Sequence, residues 1–487
     1  MSSIDEIRQV RIDKLNKLKG EGVDPYPISV NYDFTLGEVL DSFSELSKKA
    51  KAIKIVGRIV SLRKQGALAF FHIYDGTASF QALLKKEDSK NFELFADTID
   101  IGDFVELKGK LFITKRKEKT LAVFDWKIIT KTLRPLPEKW HGLQDVEERF
   151  RKRYLDILMS SEVRDRFIIR SKIISGIRAF LDDNDFMEVE TPALQPVYGG
   201  ASAKPFITHH NMLDTDLYLR ISPELYLKRL ITGGFPKVYE IGKSFRNEGI
   251  DTTHNPEFTM LEYYESYSDA GKQAKLTEKM LKTLVKVVLK KSKIVYQGKT
   301  IDFSKKFTTI SYFDLIKRYT LIPDIEEANL SEMKLHAKQL GVKVGKGDTV
   351  VKIMDSIYKK SCRPKLIQPT IITDYPVDYL PLAKRSIDNE KTVSAFQIII
   401  AGVELVKAFS ELNDPIDQRR RLEREEENMG AGDDEAQRVD EDFIEALEHG
   451  MPPAGGVGIG IDRLVMLLTD TLSIKEVILF PTLKPKN

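Results

Sequence analysis

The chain has 487 residues, of which 42% are hydrophobic and 31% are charged, a composition typical of a globular protein. Its 76 Lys and Arg side chains nearly balance 73 Asp and Glu, so charge alone does not indicate a nucleic-acid binder. The single cysteine, Cys362, excludes a disulfide within the chain and a thiolate metal cluster, and it indicates a reducing compartment. No apolar run approaches the ~20 residues of a membrane span, and residues 1–22 lack the apolar core of a secretion signal. We therefore expect a cytoplasmic protein that does not enter a membrane.

The first 135 residues divide into a helical segment and a run of short strands. Residues 1–50 carry an apolar stripe on a predicted helix that ends at Gly20, and the opposite basic face is either solvated or an arm against RNA. Residues 51–135 contain short apolar runs separated by turn signals, which predict a small closed β-barrel of the oligonucleotide-binding type. Phe70 and Phe71 must point to opposite faces of their strand, so one belongs to the core. The other is either core as well or free to stack on a base.

An aperiodic segment at 136–150 predicts a linker between this barrel and a larger domain at 151–487. The larger domain begins with a predicted helix over 163–182, whose isoleucines are spaced for one buried face, and the strand that follows ends at Pro192. Residues 270–390 mix helices and short strands between the more informative motifs. We expect that region to be rich in insertions.

The stretch at 245–267, FRNEGIDTTHNPEFTMLEYYESY, predicts two strands joined by a polar loop. Alternation assigns Arg246 to one face of the first strand, and Phe258 and Glu262 to one face of the second strand. If these faces coincide, they offer an arginine, a flat ring and a carboxylate in a row, which suits a phosphate, a flat base and a cation. The alternative is an ordinary surface hairpin. A surface face seldom needs Phe258 and Met260 beside Glu262, which disfavours that alternative.

Two other stretches predict backbone features that could serve a ligand. Glycine at every second position within 455–460 predicts a strand with one side stripped of side chains, and Arg463 lies at the start of the helix that follows. This spacing differs from that of the dinucleotide-binding fingerprint. The tripeptide SPE at 222–224 predicts a helix start with a cap residue, a proline at the first helical position and a rigidly held carboxylate.

The stretch AGVELVKAFSELND at 401–414 predicts a strand with Lys407, Phe409 and Glu411 on one face. Glu404 has the opposite parity and joins that face only if a β-bulge intervenes. Several carboxylates without a partnering arginine suit an ammonium group, which leaves water only when it is paired.

These motifs together resemble those of the class II aminoacyl-tRNA synthetases, and of the lysyl-tRNA synthetases among them. FLDDNDFMEVETPAL resembles the first motif of that class, the stretch at 245–267 resembles the second, and GGVGIGIDRLVML resembles the third. RISPELYLKRLITGG and FSELNDPIDQR are typical of the lysine enzymes, and the resemblance covers nearly the whole chain. It implies an α+β fold in which an N-terminal oligonucleotide-binding (OB) barrel binds the anticodon and precedes an antiparallel sheet flanked by helices. It also implies a homodimer, formed through the helix at 163–182 and Pro192.

The resemblance further implies an activity and assigns residues to it. ATP and L-lysine would form lysyl-adenylate with the help of Mg²⁺, and the lysyl group would pass to the 3′ end of lysine tRNA for protein biosynthesis. Arg246 and Arg463 are implied to be catalytic. The residues implied for ATP are Arg246, Glu248, His254, Phe258, Glu404 and Arg463. The residues implied for lysine are Gly200, Glu224, Glu262, Tyr264, Phe409 and Glu411; those implied for magnesium are Glu404 and Glu411, and those for the anticodon are Phe70 and Gln81.

Two positions depart from the family pattern. Gln397 stands where a glutamate metal ligand is usual, and Lys407 stands where a pocket asparagine is usual, so the number of magnesium ions is open. Lys407 should lie ~13 Å from Glu411 along the strand, and it either contacts the carboxylate or phosphate of the substrates or extends into solvent. The competing hypotheses are a synthetase for aspartate or asparagine, a non-catalytic RNA-binding paralogue, and a protein-lysylating paralogue. Glu224, Glu262 and Glu411 disfavour the first, only the two departures support the second, and proteins of the third kind generally lack the barrel.

Overall fold

The computed structural model describes residues 3–89, 91–137, 143–345, 347–430 and 437–486. The chain divides into two compact units, residues 1–143 and 144–487. The finer boundaries predicted from the sequence stay a prediction, and residues 138–142 of the predicted linker lie outside the described residues. Within the described residues, no helix combines the length and apolar character needed to cross a bilayer.

The first unit is a closed five-stranded barrel with the strand order β1-β2-β3-β5-β4; within the described residues, three helices precede β1 and a fourth lies between β3 and β4. Its helices are α1 (Ile4–Gly20), α2 (Leu36–Asp41), α3 (Phe43–Lys49) and α4 (Phe92–Thr98). Its strands are β1 (Ile53–Gln65), β2 (Leu68–Tyr74), β3 (Ser79–Lys85), β4 (Phe104–Ile113) and β5 (Lys119–Thr130). Helix α1 begins where Ser3 and Glu6 form a capping box, which satisfies two backbone N–H groups at the helix start.

Alternation along β2 separates the barrel core from its outer surface. Phe71 is 1% exposed and packs against Phe95, with the two ring centroids 5.1 Å apart. Phe70 points the other way and is half-buried on the outer face. The expectation that these neighbours face opposite sides is met, and only Phe71 belongs to the core. Phe70 therefore remains accessible to a ligand.

The second unit is built on an eight-stranded sheet with the order β14-β15-β16-β17-β18-β11-β10-β6. The strands of this sheet are β6 (Met187–Glu188), β10 (Lys237–Phe245), β11 (Glu257–Ser266), β14 (Thr308–Ser311), β15 (Thr370–Pro376), β16 (Thr392–Ile400), β17 (Val403–Ser410) and β18 (Ala454–Gly460). Smaller sheets hold β7 (Leu194–Gln195), β8 (Phe206–His210) and β9 (Thr215–Leu219), and β12 (Lys293–Tyr296) with β13 (Lys299–Asp302). The large sheet is antiparallel except at its two ends, where β6 pairs with β10 and β14 pairs with β15 in parallel. This arrangement, with the barrel, confirms the predicted fold class.

Helices cover both faces of the large sheet. The α-helices of this unit are α5 (Val146–Arg151), α6 (Arg153–Met159), α7 (Ser161–Asp182), α8 (Glu224–Thr232), α9 (Ala270–Leu289), α10 (Tyr312–Thr320), α11 (Leu330–Gln339), α12 (Val350–Ile357), α13 (Pro415–Gly430), α14 (Glu441–Glu448), α15 (Ile461–Leu468) and α16 (Ile474–Val477). One apolar core joins α7, α9 and α15 to one face of the sheet, and a second core gathers α8, α10, α12 and α14 with the other. The sheet is thereby a rigid floor on which side chains can be held at fixed spacing.

The start of α8 differs by one position from the sequence prediction. The helix begins at Glu224, so Pro223 takes the cap position that had been predicted for Ser222. The Ser222 hydroxyl accepts a hydrogen bond from the Glu224 N–H at 3.1 Å and donates one to Glu262 Oε1 at 2.7 Å. Because that hydroxyl also serves Glu262, it bonds the first helical N–H rather than one a turn further on. The predicted rigid placement of Glu224 nevertheless follows from these bonds.

Candidate functional site

A cavity of about 300 Å³ lies on the face of the large sheet formed by β11, β17 and β18. The sequence-predicted residues that line it are Gly200, Glu224, Arg246, Glu248, His254, Phe258, Glu262, Tyr264, Glu404, Phe409 and Arg463. The structure thus brings together residues from motifs more than 250 positions apart in the chain, since Gly200 and Arg463 share the same wall.

Glycines in β18 create the floor of this cavity. Gly458 pairs with Glu262 on one side and with Lys407 on the other, so two charged side chains flank a position that has none. At Gly456 a Cβ atom would lie 2.0 Å from Glu411 Oε1 and 2.4 Å from the Tyr264 ring. No other residue fits there, which explains the glycine at alternate positions that the sequence displays.

Arginine side chains mark one end of the cavity. The Arg246 guanidinium lies 5.0 Å from the centroid of the Phe258 ring. Its Nε is buried and has no hydrogen-bond partner among the described residues. Burial lowers the pKa of Arg246, and Glu248 and Glu262 oppose that shift. A buried N–H donor without a partner is costly, so this end is organised to receive an acceptor from a ligand.

Arg463 is fixed beside the arginine end by a chain of hydrogen bonds. Its Nη2 lies 3.0 Å from His254 Nε2, and its Nη1 donates to the Glu404 carbonyl oxygen at 3.3 Å. His254 Nδ1 in turn lies 2.9 Å from Asp251 Oδ2. A neutral imidazole that donates from Nδ1 to the carboxylate accepts from Arg463 at Nε2, which sets the tautomer and aims the guanidinium.

Carboxylates mark the other end. Glu262 Oε1 accepts the bond from Ser222, and Glu262 Oε2 accepts one from the Tyr264 hydroxyl at 3.0 Å. Burial raises the pKa of Glu262 to about 8, and the nearby Glu224 carboxylate adds to that shift. The Glu262 carboxyl therefore takes up a proton more readily than an ordinary glutamate. An ammonium group that enters would favour the ionised form and displace that proton.

Glu411 lies just behind the cavity wall rather than on it. It is 1% exposed, and its Oε2 lies 2.5 Å from the ammonium of Lys228. The same Lys228 Nζ lies 2.6 Å from Glu224 Oε1, and Lys228 is fully buried. Sequence reasoning missed Lys228. The available signal was its position four residues after Glu224 on a predicted helix, the spacing at which opposite charges pair.

A bulge in β17 brings Glu404 to the cavity. The pairing of β16 with β17 runs Ile398 to Val406 and then Ile399 to Glu404, so one residue of β17, Leu405, is skipped. The predicted condition for Glu404 to share the face of Lys407 is thereby met.

Lys407 lines the cavity next to the aromatic ring of Tyr379. Its Nζ lies 6.0 Å from the centroid of that ring, and it forms no ion pair with the residues that the structure describes. The Lys407 side chain is exposed, yet the protein packed around its ammonium lowers its pKa, and Glu404 and Glu224 oppose that shift. Gln397 lies directly across the strand pair from Lys407, and its buried Oε1 accepts no hydrogen bond from the described residues.

The residues implied for magnesium fit an ion unequally. Glu404 on β17 and Glu411 just beyond the end of that strand are seven residues apart, roughly 20 Å, whereas ligands of one Mg²⁺ lie 2.0–2.1 Å from it. Glu411 is also held by Lys228. Glu404 lines the cavity and could supply the one carboxylate that Mg²⁺ often takes together with phosphates and water. The described residues contain no cluster of three or more metal-ligating side chains of the His, Cys, Asp or Glu type.

In the barrel, Phe70 and Gln81 share the outer face. Gln81 lies opposite His72 on β2, and Phe70 is two residues from His72, so the two predicted residues are diagonal neighbours. The Thr120 hydroxyl donates to Gln81 Oε1 at 2.6 Å. This bond fixes the orientation of the amide and leaves its Nε2 donor turned away from Thr120.

Comparisons with known proteins agree with this geometry. Residues 145–484 match the family model of class II tRNA synthetases (D, K and N), and residues 53–129 match that of the OB-fold nucleic acid binding domain. The chain is 48% identical to the lysine–tRNA ligase of Roseiflexus sp. (strain RS-1) over 99% of this chain and 100% of the relative. It is 47% identical to that of Pelotomaculum thermopropionicum over 99% and 96%, and 46% identical to that of Carboxydothermus hydrogenoformans over 99% of each. The chain therefore belongs to the class II tRNA synthetase family, and within it to the lysyl-tRNA synthetases.

Proposed function

We propose that this protein activates L-lysine with ATP and transfers the lysyl group to the 3′ end of lysine tRNA. The observation that carries the proposal is the polarity of one cavity, with Arg246 and Arg463 at one end and Glu224 and Glu262 at the other. Lysine carries its side-chain ammonium at one end and its carboxylate near the other. It would therefore bind with the ammonium against the carboxylates and its own carboxylate toward the arginines.

The arginine end is suited to the triphosphate and the base of ATP. Phe258 offers an aromatic ring to adenine, and Glu248 and His254 lie beside it in the cavity wall. Arg246 would bind the α-phosphate with its Nε–H, which has no partner in the described part of the chain, and Arg463 would reach the other phosphates from the position that His254 fixes. Each of these donors is in place before the substrate arrives, so no reorganisation is needed as charge develops.

The chemical step needs no nucleophile from the protein. A carboxylate oxygen of lysine attacks the α-phosphorus, the bond from that phosphorus to the bridging oxygen breaks, and pyrophosphate leaves. Arg246 stabilises the charge that develops on the oxygens of the α-phosphate. The pocket carboxylates hold the lysine so that its carboxylate stays directed at the phosphorus, which makes the attack effectively unimolecular.

Magnesium fits one position in this scheme. Glu404, which lines the cavity, would hold it together with phosphate oxygens and water. The ion, when bound, neutralises part of the phosphate charge. Glu411 is better assigned to the amino-acid pocket because Lys228 already neutralises one of its oxygens.

The barrel would supply tRNA recognition. Phe70 offers a half-buried ring for stacking on a base of the anticodon, and Gln81 offers an oriented amide for hydrogen bonding to it. Charging of lysine tRNA, measured with radioactive lysine, tests this function directly. Transfer of lysine to its tRNA in the presence of ATP supports the proposal, and charging of aspartate or asparagine tRNA contradicts it.

We also propose a homodimer that works in the cytoplasm. Apolar side chains on the first motif are exposed, with Ile168 on α7 45% exposed, Met187 on β6 41% and Leu194 on β7 47%. When two copies of the chain pair about a twofold axis, the apolar patch of one copy can pack against the same patch of the other. Sedimentation should therefore give twice the chain mass of 55.6 kDa, and a fully active monomer at assay concentration would contradict the dimer. The single buried cysteine is consistent with a reducing compartment.

A further inference from the structure

Lys228 connects two carboxylates that come from distant parts of the chain. Its Nζ lies 2.6 Å from Glu224 Oε1, on its own helix, and 2.5 Å from Glu411 Oε2, just beyond the end of β17. The ammonium also lies 5.5 Å from the centroid of the Phe409 ring and 5.8 Å from that of Phe443. Lys228 has no exposed surface, so its ammonium is shielded from water.

Each of the two carboxylates keeps one oxygen that Lys228 does not use. Glu411 Oε1 is buried and accepts no hydrogen bond from the described residues. Glu224 faces the cavity, and the bonds described for its carboxylate all involve Oε1. Glu262 differs, since both of its oxygens already accept bonds from protein hydroxyl groups. Among the described residues, Glu224 therefore keeps one oxygen for a ligand in the cavity, whereas the unused oxygen of Glu411 is buried behind the cavity wall.

We propose that Lys228 is a positioning residue that ties Glu224 to the buried Glu411 and so fixes the Glu224 carboxylate in the cavity wall, and that this fixed position selects the amino acid by the length of its side chain. The free Glu224 oxygen would receive an ammonium of lysine at a set distance from Arg246, which lies at the other end of the cavity. This inference rests on the proposed function, because it assigns the length selectivity of the same pocket.

The charges of Lys228, Glu224 and Glu411 support a positioning role for Lys228. Burial lowers the pKa of Lys228, but Glu224 and Glu411 together outweigh that effect and raise the pKa above its ordinary value, so the residue stays an ammonium. Without it, Glu224 and Glu411 would be buried carboxylates close to Glu262 and would repel one another or take up protons. Either response moves or neutralises the oxygens that the substrate needs.

The test compares lysine with ornithine, which is one methylene shorter and carries the same two ammonium groups. ATP–pyrophosphate exchange would be measured for the parent chain and for Lys228→Met with both amino acids. One methylene is commonly worth ~10–200-fold in selectivity. We expect Lys228→Met to raise the KM for lysine at least tenfold, to lower the lysine-to-ornithine ratio of kcat/KM at least tenfold, and to leave the KM for ATP within threefold.

Lys131 provides a matched control in the barrel unit. It is also a buried lysine that bridges two carboxylates, with its Nζ 2.7 Å from Asp100 Oδ2 and 2.7 Å from Asp103 Oδ2. Lys131→Met should lower the thermal stability of its unit and leave both the lysine KM and the lysine-to-ornithine ratio of the exchange reaction unchanged. The comparison distinguishes the general effect of losing a buried lysine–carboxylate bridge from the specific effect of losing the bridge formed by Lys228.

Several outcomes would overturn the proposal. An unchanged lysine-to-ornithine ratio in Lys228→Met would do so, as would equal losses for lysine and ATP. If Lys228→Met does not fold, Lys228→Gln takes its place with the same expectation, and failure of both to fold makes Lys228 a structural residue only. A parent chain without any lysine-dependent exchange refutes the proposed function itself, which is a different result from a parent that works and a variant that keeps its selectivity.

Discussion

Arg246→Ala should abolish most adenylate formation while leaving the fold intact. The backbone of Arg246 is held by a hydrogen bond from its N–H to the Pro256 carbonyl oxygen at 2.8 Å, which closes the hairpin loop. Its guanidinium rests over Phe258 and leaves a buried Nε–H without a partner among the described residues. Apart from its contact with the Phe258 ring, the Arg246 side chain contributes little to the stability of the fold. Its removal should therefore act mainly on the bound triphosphate.

The magnitude follows from two losses. Removal of one preorganised donor from a charge-stabilising site typically costs ~10²–10³ in rate, about 2.7–4 kcal/mol. Loss of the contact with the Phe258 ring removes a further ~0.5–2 kcal/mol of interaction that holds the ring. We expect the exchange rate to fall at least about a hundredfold. Arg246→Lys keeps the charge but not the planar fork, and its rate should lie between those of the parent and of the alanine variant.

The assay is lysine-dependent exchange of pyrophosphate into ATP, with thermal unfolding as a check on the fold. Arg419→Ala is the control, because Arg419 pairs with Glu441 at 2.6 Å and lies outside the cavity wall. That control should keep the parent rate. An Arg246→Ala rate within a few-fold of the parent, in a folded chain, would refute the assignment of Arg246 to the α-phosphate.

Three further predictions concern the barrel, the departing lysine and pH. Phe70→Ala should weaken tRNA charging but spare exchange, since stacking is worth ~1–3 kcal/mol; an equal loss in exchange would make Phe70 structural. Lys407→Glu should sharply raise the KM for lysine or ATP and Lys407→Asn should be mild, whereas parent kinetics in the glutamate variant would remove Lys407 from the site. Because the pKa of Glu262 is raised to about 8, the KM for lysine should fall as pH rises toward 8 and then level off. A pH-independent lysine KM would contradict that role, and the KM for ATP, measured in parallel, should show no such trend.

Much of the site could be predicted from the sequence, because the alternation of residues in the motifs shows which side chains share one face of a strand. Two-residue alternation placed Arg246, Phe258 and Glu262 together, and the register of β10 with β11 brings the two strands of that hairpin side by side. The alternating glycines of β18 likewise predicted an unobstructed surface, which lies between Glu262 and Lys407. These features depend on local periodicity, which a single sequence displays directly.

The contacts between segments that are distant in the sequence could not be predicted in this way. The bulge at Leu405 was stated only as a condition, since alternation cannot reveal a skipped residue. The pairing of Lys228 with Glu411 links positions 183 residues apart, and no local pattern encodes it. The position of Glu411 behind Gly456 has the same origin, because it depends on how β18 packs beside β17. Tertiary packing decides these features, and it decides which carboxylates remain free for a substrate.

The identity of the activated amino acid tests the central claim most directly. The measurement is ATP–pyrophosphate exchange by the full chain with each of the standard amino acids supplied singly, together with Mg²⁺. The polarity of the cavity, with Glu224 and Glu262 at one end and Arg246 at the other, predicts that lysine supports exchange and that aspartate and asparagine do not. Exchange driven by aspartate or asparagine, or no exchange with lysine by a folded chain, would contradict it.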